Sequence, residues 1–339
     1  MFSPLSPIAK TPLYKVLARY GLTRVTGISQ SKVGFENKTF LVKLPKGRVI
    51  LRESQKGKDI AHLNLEVGLL DYLYDFPLTP TPLPNLAGEL ITVAGGTYYL
   101  LQNCLPGKTV ANWDRLENFT LPRLKSFFAT SAKFTRAAEG FKVKPLKNYP
   151  CILECAVLAE KNFDKRLKAI PPSPGKKMIL DEEKNILRFM SATLREMEKS
   201  GYAGLPKQIV HFDIHPGNVN FAGNRVVGLF DFDWARFDCR LSDLAATISQ
   251  SCYFYGPGLY RKDRIQAGLQ SYRKTYGKSE FKIRDENYFL RLALQAYNIY
   301  QFGWTMDWYA KNWRKKGSIL PPQNFLHLLI ANDYKALLE

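Results

Sequence analysis

The order of sequence patterns predicts an α+β chain of two lobes, a β-rich lobe over residues 1–105 and a mostly helical lobe over residues 106–339. Short apolar runs separated by glycine turns fill most of residues 25–101, and a single helical stretch crosses them. Beyond Gly107 apolar residues recur at helical spacing, apart from three short runs between Gln208 and Phe230.

Leu13, Val16, Leu17 and Tyr20 recur at helical spacing up to Gly21, which predicts a short leading helix. The period then changes. Val25 to Ile28 and Thr39 to Leu44 read as strands on either side of a glycine-containing loop, Gly34-Phe35-Glu36-Asn37, and Pro45-Lys46-Gly47 turns the chain into a third strand, Arg48 to Arg52. Ile60, Leu63, Val67, Leu70 and Leu73 share one face of a helix from Asp59 to Leu73, ended by the run Pro77, Pro80, Pro82 and Pro84. Glu89 to Val93 and Tyr98 to Leu101 form a hairpin about Gly95-Gly96. The lobe boundary falls near Asn103-Cys104-Leu105-Pro106-Gly107. The chain is then helical and basic to about residue 200, broken by Pro145, Pro150 and a loop from Pro171 to Lys177. The last helix of that block opens at Asp181-Glu182-Glu183 and closes at Gly201. Gln208 to Val210, Val219 to Phe221 and Val226 to Phe230 are short strands, and the remainder after Asp243 is helical and aromatic.

Composition narrows the classes of function. With 339 residues, 45% of them hydrophobic, the chain can fill two cores. The net charge of +19 is spread along the chain without a basic tail or arm, which favours a solubilising surface hospitable to anionic ligands over a specific nucleic-acid partner. No stretch approaches the roughly 18 apolar residues of a membrane span. The N-terminus, with Pro4, Pro7 and Pro12, lacks a secretory pattern, so a cytoplasmic protein is expected. The cysteines, Cys104, Cys151, Cys155, Cys239 and Cys252, are odd in number and form no C-x-x-C pair, which predicts reduced thiols, mostly in the core.

The chemistry concentrates in one segment. His211-Phe212-Asp213-Ile214-His215-Pro216-Gly217-Asn218 fits H-x-D-x-x-x-x-N, and an apolar strand then delivers Asp231 in Asp231-Phe232-Asp233. Phosphoryl transfer from a nucleotide needs one carboxylate beside the attacking hydroxyl, and a second carboxylate with an amide oxygen to hold Mg²⁺ against the phosphates. Asp213, Asp231 and Asn218 supply those groups, and His211 suits bracing of the loop by hydrogen bonds. A second chemistry stays open, because on an extended strand His211, Asp213 and His215 would share a face as a metallohydrolase ligand set.

At these residues the chain resembles the protein-kinase-like small-molecule phosphotransferases, the group of aminoglycoside phosphotransferases, choline kinases and type II homoserine kinases. The resemblance runs from about Val25 to Ala246 and is closest over His211–Asp243. It implies a kinase-like fold with nucleotide between the lobes, and transfer of the ATP γ-phosphoryl group to a small-molecule hydroxyl. Asp213 would be the catalytic base, Asn218 and Asp231 the magnesium ligands, and Asp243, in Asp243-Leu244-Ala245, the structural brace. It further implies that Arg52 touches the nucleotide phosphates with Glu66 as its partner, that Asn37 serves the nucleotide loop, and that Asn103 and Cys104 lie in the hinge that meets adenine. Phe212 and Arg52 depart from the common glycine and lysine, and arginine is not equivalent to lysine as a phosphate ligand. Relatives bind their acceptor beside the catalytic loop, which makes His215, Asp233, Trp234, Arg236 and Tyr255 candidates for acceptor contacts. The C-terminal aromatic residues fit core packing better than an acceptor cage. The basic stretches Lys142–Lys147 and Lys311–Lys316 read as solvated faces that would steer an anionic acceptor. No A-P-E element or long activation segment follows Asp231, which favours a small acceptor over a protein. A nucleotide-binding protein without catalytic activity is the other reading left open.

Overall fold

The computed structural model describes residues 2–4, 7–31, 37–54, 57–110, 118–254, 259–277, 279–312, 329 and 332–338. The chain forms two compact units, Met1–Lys108 with Val227–Asp233, and Thr109–Val226 with Trp234–Glu339. The segment carrying Asp231 and Asp233 therefore belongs with the first unit.

The first unit is built on an antiparallel sheet. Strands β1 (Phe2–Pro4), β2 (Gly27–Ser31), β3 (Lys38–Lys43), β4 (Arg48–Glu53), β5 (Pro82–Leu83), β6 (Ile91–Ala94) and β7 (Thr97–Asn103) assemble in the order β1-β2-β3-β4-β7-β5, with β6 also paired to β7. Strand alternation divides the work between the faces. Ile28, Phe40, Val42, Leu51, Tyr99 and Leu101 form one core with Leu13, Val16 and Leu17 of helix α1 (Pro7–Ala18) and with Tyr20 just beyond it. Arg52, next to Leu51 on β4, points to the other face. Helix α2 (Ile60–Tyr72) starts at Asp59, whose side chain accepts from the Ala61 N–H at 2.9 Å, and it buries Glu66 completely.

The second unit is mostly helical. Helices α3 (Leu121–Ala137), α4 (Ile152–Lys161), α5 (Phe163–Ala169), α6 (Pro174–Asp181) and α7 (Glu183–Lys199) precede two short strand pairings. Strand β8 (Lys207–Val210) pairs antiparallel with β11 (Arg236–Cys239), and β9 (Val219–Ala222) pairs with β10 (Arg225–Leu229), which runs on into the segment counted with the first unit. Helix α8 (Leu241–Cys252), the small pair β12 (Tyr253–Phe254) and β13 (Leu259–Tyr260), and helices α9 (Lys262–Tyr276), α10 (Ile283–Asn312) and α11 (Tyr334–Leu338) complete it. Helices α3 and α9 approach closely at Gly268, where a Cβ would lie 2.6 Å from the Phe128 ring, so only glycine fits there. Among the described residues no helix is long and apolar enough to cross a membrane.

Several elements differ from the sequence expectation. The loop expected over Pro171–Lys177 is partly helix α6, because Ser173 caps it through a hydrogen bond from the Lys176 N–H (3.2 Å) and Pro174 suits the first turn. Strand β5 lies inside the proline run, at a sheet edge where a missing N–H is tolerated. Strand β11 follows no apolar run, and its identity as a strand comes from its pairing with β8. Four of the cysteines are buried and Cys104 is partly exposed, in line with their expected place mostly in the core. Tyr253, Tyr297 and Phe302 are buried, in keeping with core packing of the C-terminal aromatic residues.

Candidate active site

Strand β8 ends at Val210, and the loop 211–218 that follows is braced from the start of α8. The Asp243 carboxylate accepts the backbone N–H of His211 at 2.8 Å through Oδ2 and that of Phe212 at 2.6 Å through Oδ1. Phe212 adopts a left-handed backbone (φ 66°), a conformation that favours glycine. Its ring offsets the strain by packing against Tyr300 (5.3 Å between ring centres), Tyr297 (6.0 Å) and the Arg236 guanidinium, 3.6 Å from the ring centre. A left-handed residue costs roughly 1–2 kcal/mol, and a buried phenyl ring is worth about 3–5 kcal/mol. Phe212→Gly should therefore lose about 2 kcal/mol of stability in urea unfolding, and a more stable variant would contradict this balance.

The brace holds Asp213 at a partly exposed position and Asn218 at a buried one. The Asn218 amide nitrogen donates to the Asp213 backbone oxygen and to its Oδ2, both at 3.0 Å, so the amide oxygen is the atom of Asn218 that remains for a cation. His215 Nδ1 accepts from the Gly217 N–H at 3.0 Å, and its Nε2 lies 3.7 Å from Asp213 Oδ2. Desolvation lowers the His215 pKa to about 4, so near neutral pH the ring is uncharged and can accept that bond. Burial pushes the Asp243 carboxyl up to about 7 against the pull of its two backbone donors.

In the first unit Arg52 is the centre of a buried ionic cluster. Its guanidinium donates to Glu66 Oε1 on α2 and to Asp233 Oδ1, while the Asn37 amide donates to Asp233 Oδ2. Lys58 Nζ lies 2.8 Å from Asp233 Oδ1 and 3.8 Å from Glu66 Oε2. Burial opposes the charge on Arg52, yet Asp233 and Glu66 hold its pKa above the ordinary value. Burial likewise disfavours the Asp233 carboxylate, but Arg52 and Lys58 bring it well below the usual range. For Glu66 burial outweighs both cations and raises the pKa. Asp231 is exposed, follows the end of β10, and also has a left-handed backbone (φ 70°). Strain of this kind on a non-glycine residue concentrates at functional positions.

Two of the expected acceptor residues are engaged within the protein. Arg236 is only 2% exposed, donates to the Pro150 oxygen at 2.9 Å, the Trp234 oxygen at 3.1 Å and Cys155 Sγ at 3.4 Å, and lies against the Phe212 ring. Asp233 is committed to Arg52, Lys58 and Asn37. Trp234 is partly exposed, its ring 6.5 Å from that of Tyr149. Tyr255 and residues 34–36 lie outside the described residues. Asn103 is exposed and exchanges hydrogen bonds with the Thr81 backbone, N–H to Thr81 oxygen at 3.1 Å and Oδ1 from the Thr81 N–H at 2.9 Å. Cys104 is partly exposed and its thiol points to the Leu105 oxygen at 3.8 Å. His211 is fully buried with its ring edge-on to Phe134 at 6.0 Å, and among the described residues no cluster of three or more His, Cys, Asp or Glu is placed to hold a metal, so His211, Asp213 and His215 do not form a ligand set.

The sequence reading passed over Lys58 and Asp238. Lys58 directly precedes the cap of the helix that carries Glu66, a hint at its neighbourhood. Asp238 is two residues beyond Arg236 on β11 and accepts the N–H groups of Ile152 and Cys239, both at 2.7 Å. It ties α4 to that strand.

A carboxylate steadied by an amide on a loop braced from the next helix, together with a buried Arg–Glu pair between strand and helix, is the equipment of a kinase-like phosphotransferase. The chain belongs to the phosphotransferase enzyme family, which it matches over residues 27–277. Homoserine kinase of Rhizobium meliloti (strain 1021) is 28% identical over 269 residues, covering 79% of this chain and 76% of that protein. Homoserine kinase of Janthinobacterium sp. (strain Marseille) is 25% identical over 273 residues, covering 79% and 77%. The fold is shared with spectinomycin phosphotransferase, solved with ADP and spectinomycin (TM-score 0.64, 13% identity, 99% of this chain and 98% of that one). It is shared also with a microcompartment-associated aminopropanol kinase (TM-score 0.63, 14% identity, 96% and 94%). The protein is a small-molecule kinase with a hydroxyl acceptor.

Proposed function

We propose that the acceptor is a small hydroxy amino acid of the homoserine class and that Asp213 is the base that orients and deprotonates its hydroxyl. The similarity to homoserine kinases along 79% of the chain carries the acceptor class. The hydrogen bond between Asp213 and Asn218 supports the base: it fixes the carboxylate's orientation, and general bases act only within hydrogen-bond reach of the proton they take. The Asp231 carboxylate and the Asn218 amide oxygen are hard oxygen donors of the kind Mg²⁺ prefers, and the exposed, strained Asp231 and the committed Asn218 nitrogen fit that use. Bound Mg²⁺ would neutralise charge on the ATP phosphates. Arg52, held by Glu66, adds a fixed positive charge for the phosphoryl group leaving ATP.

The test is magnesium-dependent ADP release from ATP with homoserine, choline, aminopropanol, simple sugars and an aminoglycoside offered in turn. Homoserine or its close analogues should give the highest kcat/KM. Turnover confined to sugars or aminoglycosides would overturn the acceptor assignment while leaving the kinase chemistry intact.

A further inference from the structure

One carboxylate in the first unit receives an unusual number of donors. Arg52 Nη2 and Lys58 Nζ both converge on Oδ1 of Asp233, and the Asn37 amide donates to its Oδ2. The three donors come from separate pieces of chain: Arg52 from β4, Asn37 from the residue before β3, and Lys58 from the segment leading into α2. Two of them, Asn37 and Arg52, are the residues that the family resemblance assigns to the nucleotide. Lys58 has no such assignment, yet its side chain is only 7% exposed and its ammonium faces the same oxygen as Arg52.

We infer that Lys58 is a second phosphate-binding cation, and that Arg52, Lys58 and Asn37 form a phosphate cradle for which the Asp233 carboxylate competes. The inference rests on the phosphotransferase reading above. A carboxylate and a phosphate each present acceptor oxygens on one negatively charged centre, and cationic donors placed for the first suit the second. Arg52 and Lys58 face two carboxylates, Glu66 and Asp233. Buried charges persist when paired and are costly when left alone. An internal carboxylate thus keeps both cations paired until a phosphate replaces it. Glu66 stays with Arg52, since it lies on the helix side of the pair and uses a different guanidinium nitrogen. Displacement of Asp233 draws on the binding energy of the nucleotide, so its carboxylate lowers apparent affinity for any polyphosphate. A network that served stability alone would have the opposite signature, because loosening it could only weaken binding.

The signs of two substitutions separate these cases. Binding of tripolyphosphate, ATP and adenosine is measured by calorimetry in EDTA, which removes any contribution from divalent metal, and thermal melts confirm that each variant is folded. Lys58→Met should weaken tripolyphosphate and ATP about tenfold, as for the loss of one charge-assisted bond, and leave adenosine unchanged. Lys58→Arg should retain most of the affinity, and Lys58→Gln replaces the methionine variant if that one does not fold. Asp233→Asn should tighten tripolyphosphate binding severalfold. Unchanged polyphosphate affinity in Lys58→Met, or weaker binding in Asp233→Asn, overturns the cradle. A wild-type protein that binds no ATP even with magnesium overturns the phosphotransferase reading itself, and the cradle with it.

Discussion

Asp213→Asn should lower kcat for acceptor phosphorylation by about 10³-fold, within the usual span for loss of a general base, while ATP still binds. The amide has the shape of the carboxylate and can turn its oxygen to the Asn218 amide, so the loop keeps its hydrogen bond and the melting temperature should hold. What it lacks is a basic oxygen for the acceptor proton. The measurement is kcat with the best acceptor, beside the ATP dissociation constant of both proteins. Retained turnover in a variant that binds ATP normally would remove Asp213 from the role of base and turn attention to a solvent-mediated proton path.

The second large effect is expected at Asp243, which never touches substrate. Its two oxygens serve one backbone N–H each, at His211 and Phe212. Asp243→Asn can satisfy one and turns an NH2 group to the other, leaving a buried donor unpaired at a cost of about 1–3 kcal/mol. Because the loop it braces carries Asp213, kcat should fall by an order of magnitude or more while the KM for ATP changes little, as for any small misplacement of a reacting group. The pH dependence gives a separate check. The folded pKa of Asp243, about 7, lies above the unfolded value near 4, so this group contributes stability that is complete below about pH 4 and is lost as pH rises through 7. His215 works in the opposite sense. Its folded pKa of about 4 lies below the unfolded value, so it subtracts stability as pH falls from about 6.5. The difference between wild type and Asp243→Asn cancels the histidine, and that stability gap should narrow between pH 5 and pH 8. A gap that stays constant across this range would show Asp243 ionised throughout it.

Much of this architecture was legible along the chain, and the reason is local. Alternation in β2 to β4, the helical face of α2 and the Gly95-Gly96 turn are backbone preferences written within a few residues, and they place Arg52 on a strand and Glu66 on a helix without reference to anything distant. The motif from His211 to Asn218 is equally local, and its spacing already brings Asp213 and Asn218 to one loop. Helix α6 was missed although its cap, Ser173 before Pro174, is also local, because the prolines and glycine around it read as a loop.

What no stretch of residues announced is partnership at long range. Asp233 pairs with Arg52 and Lys58, Arg236 is withdrawn from solvent to stack on Phe212, and Asp238 ties α4 to β11. Local sequence sets the backbone conformation and the face on which a side chain stands. The identity of the group waiting on that face depends on how the elements pack, and in a buried setting a charge takes whichever opposite charge the packing brings to it.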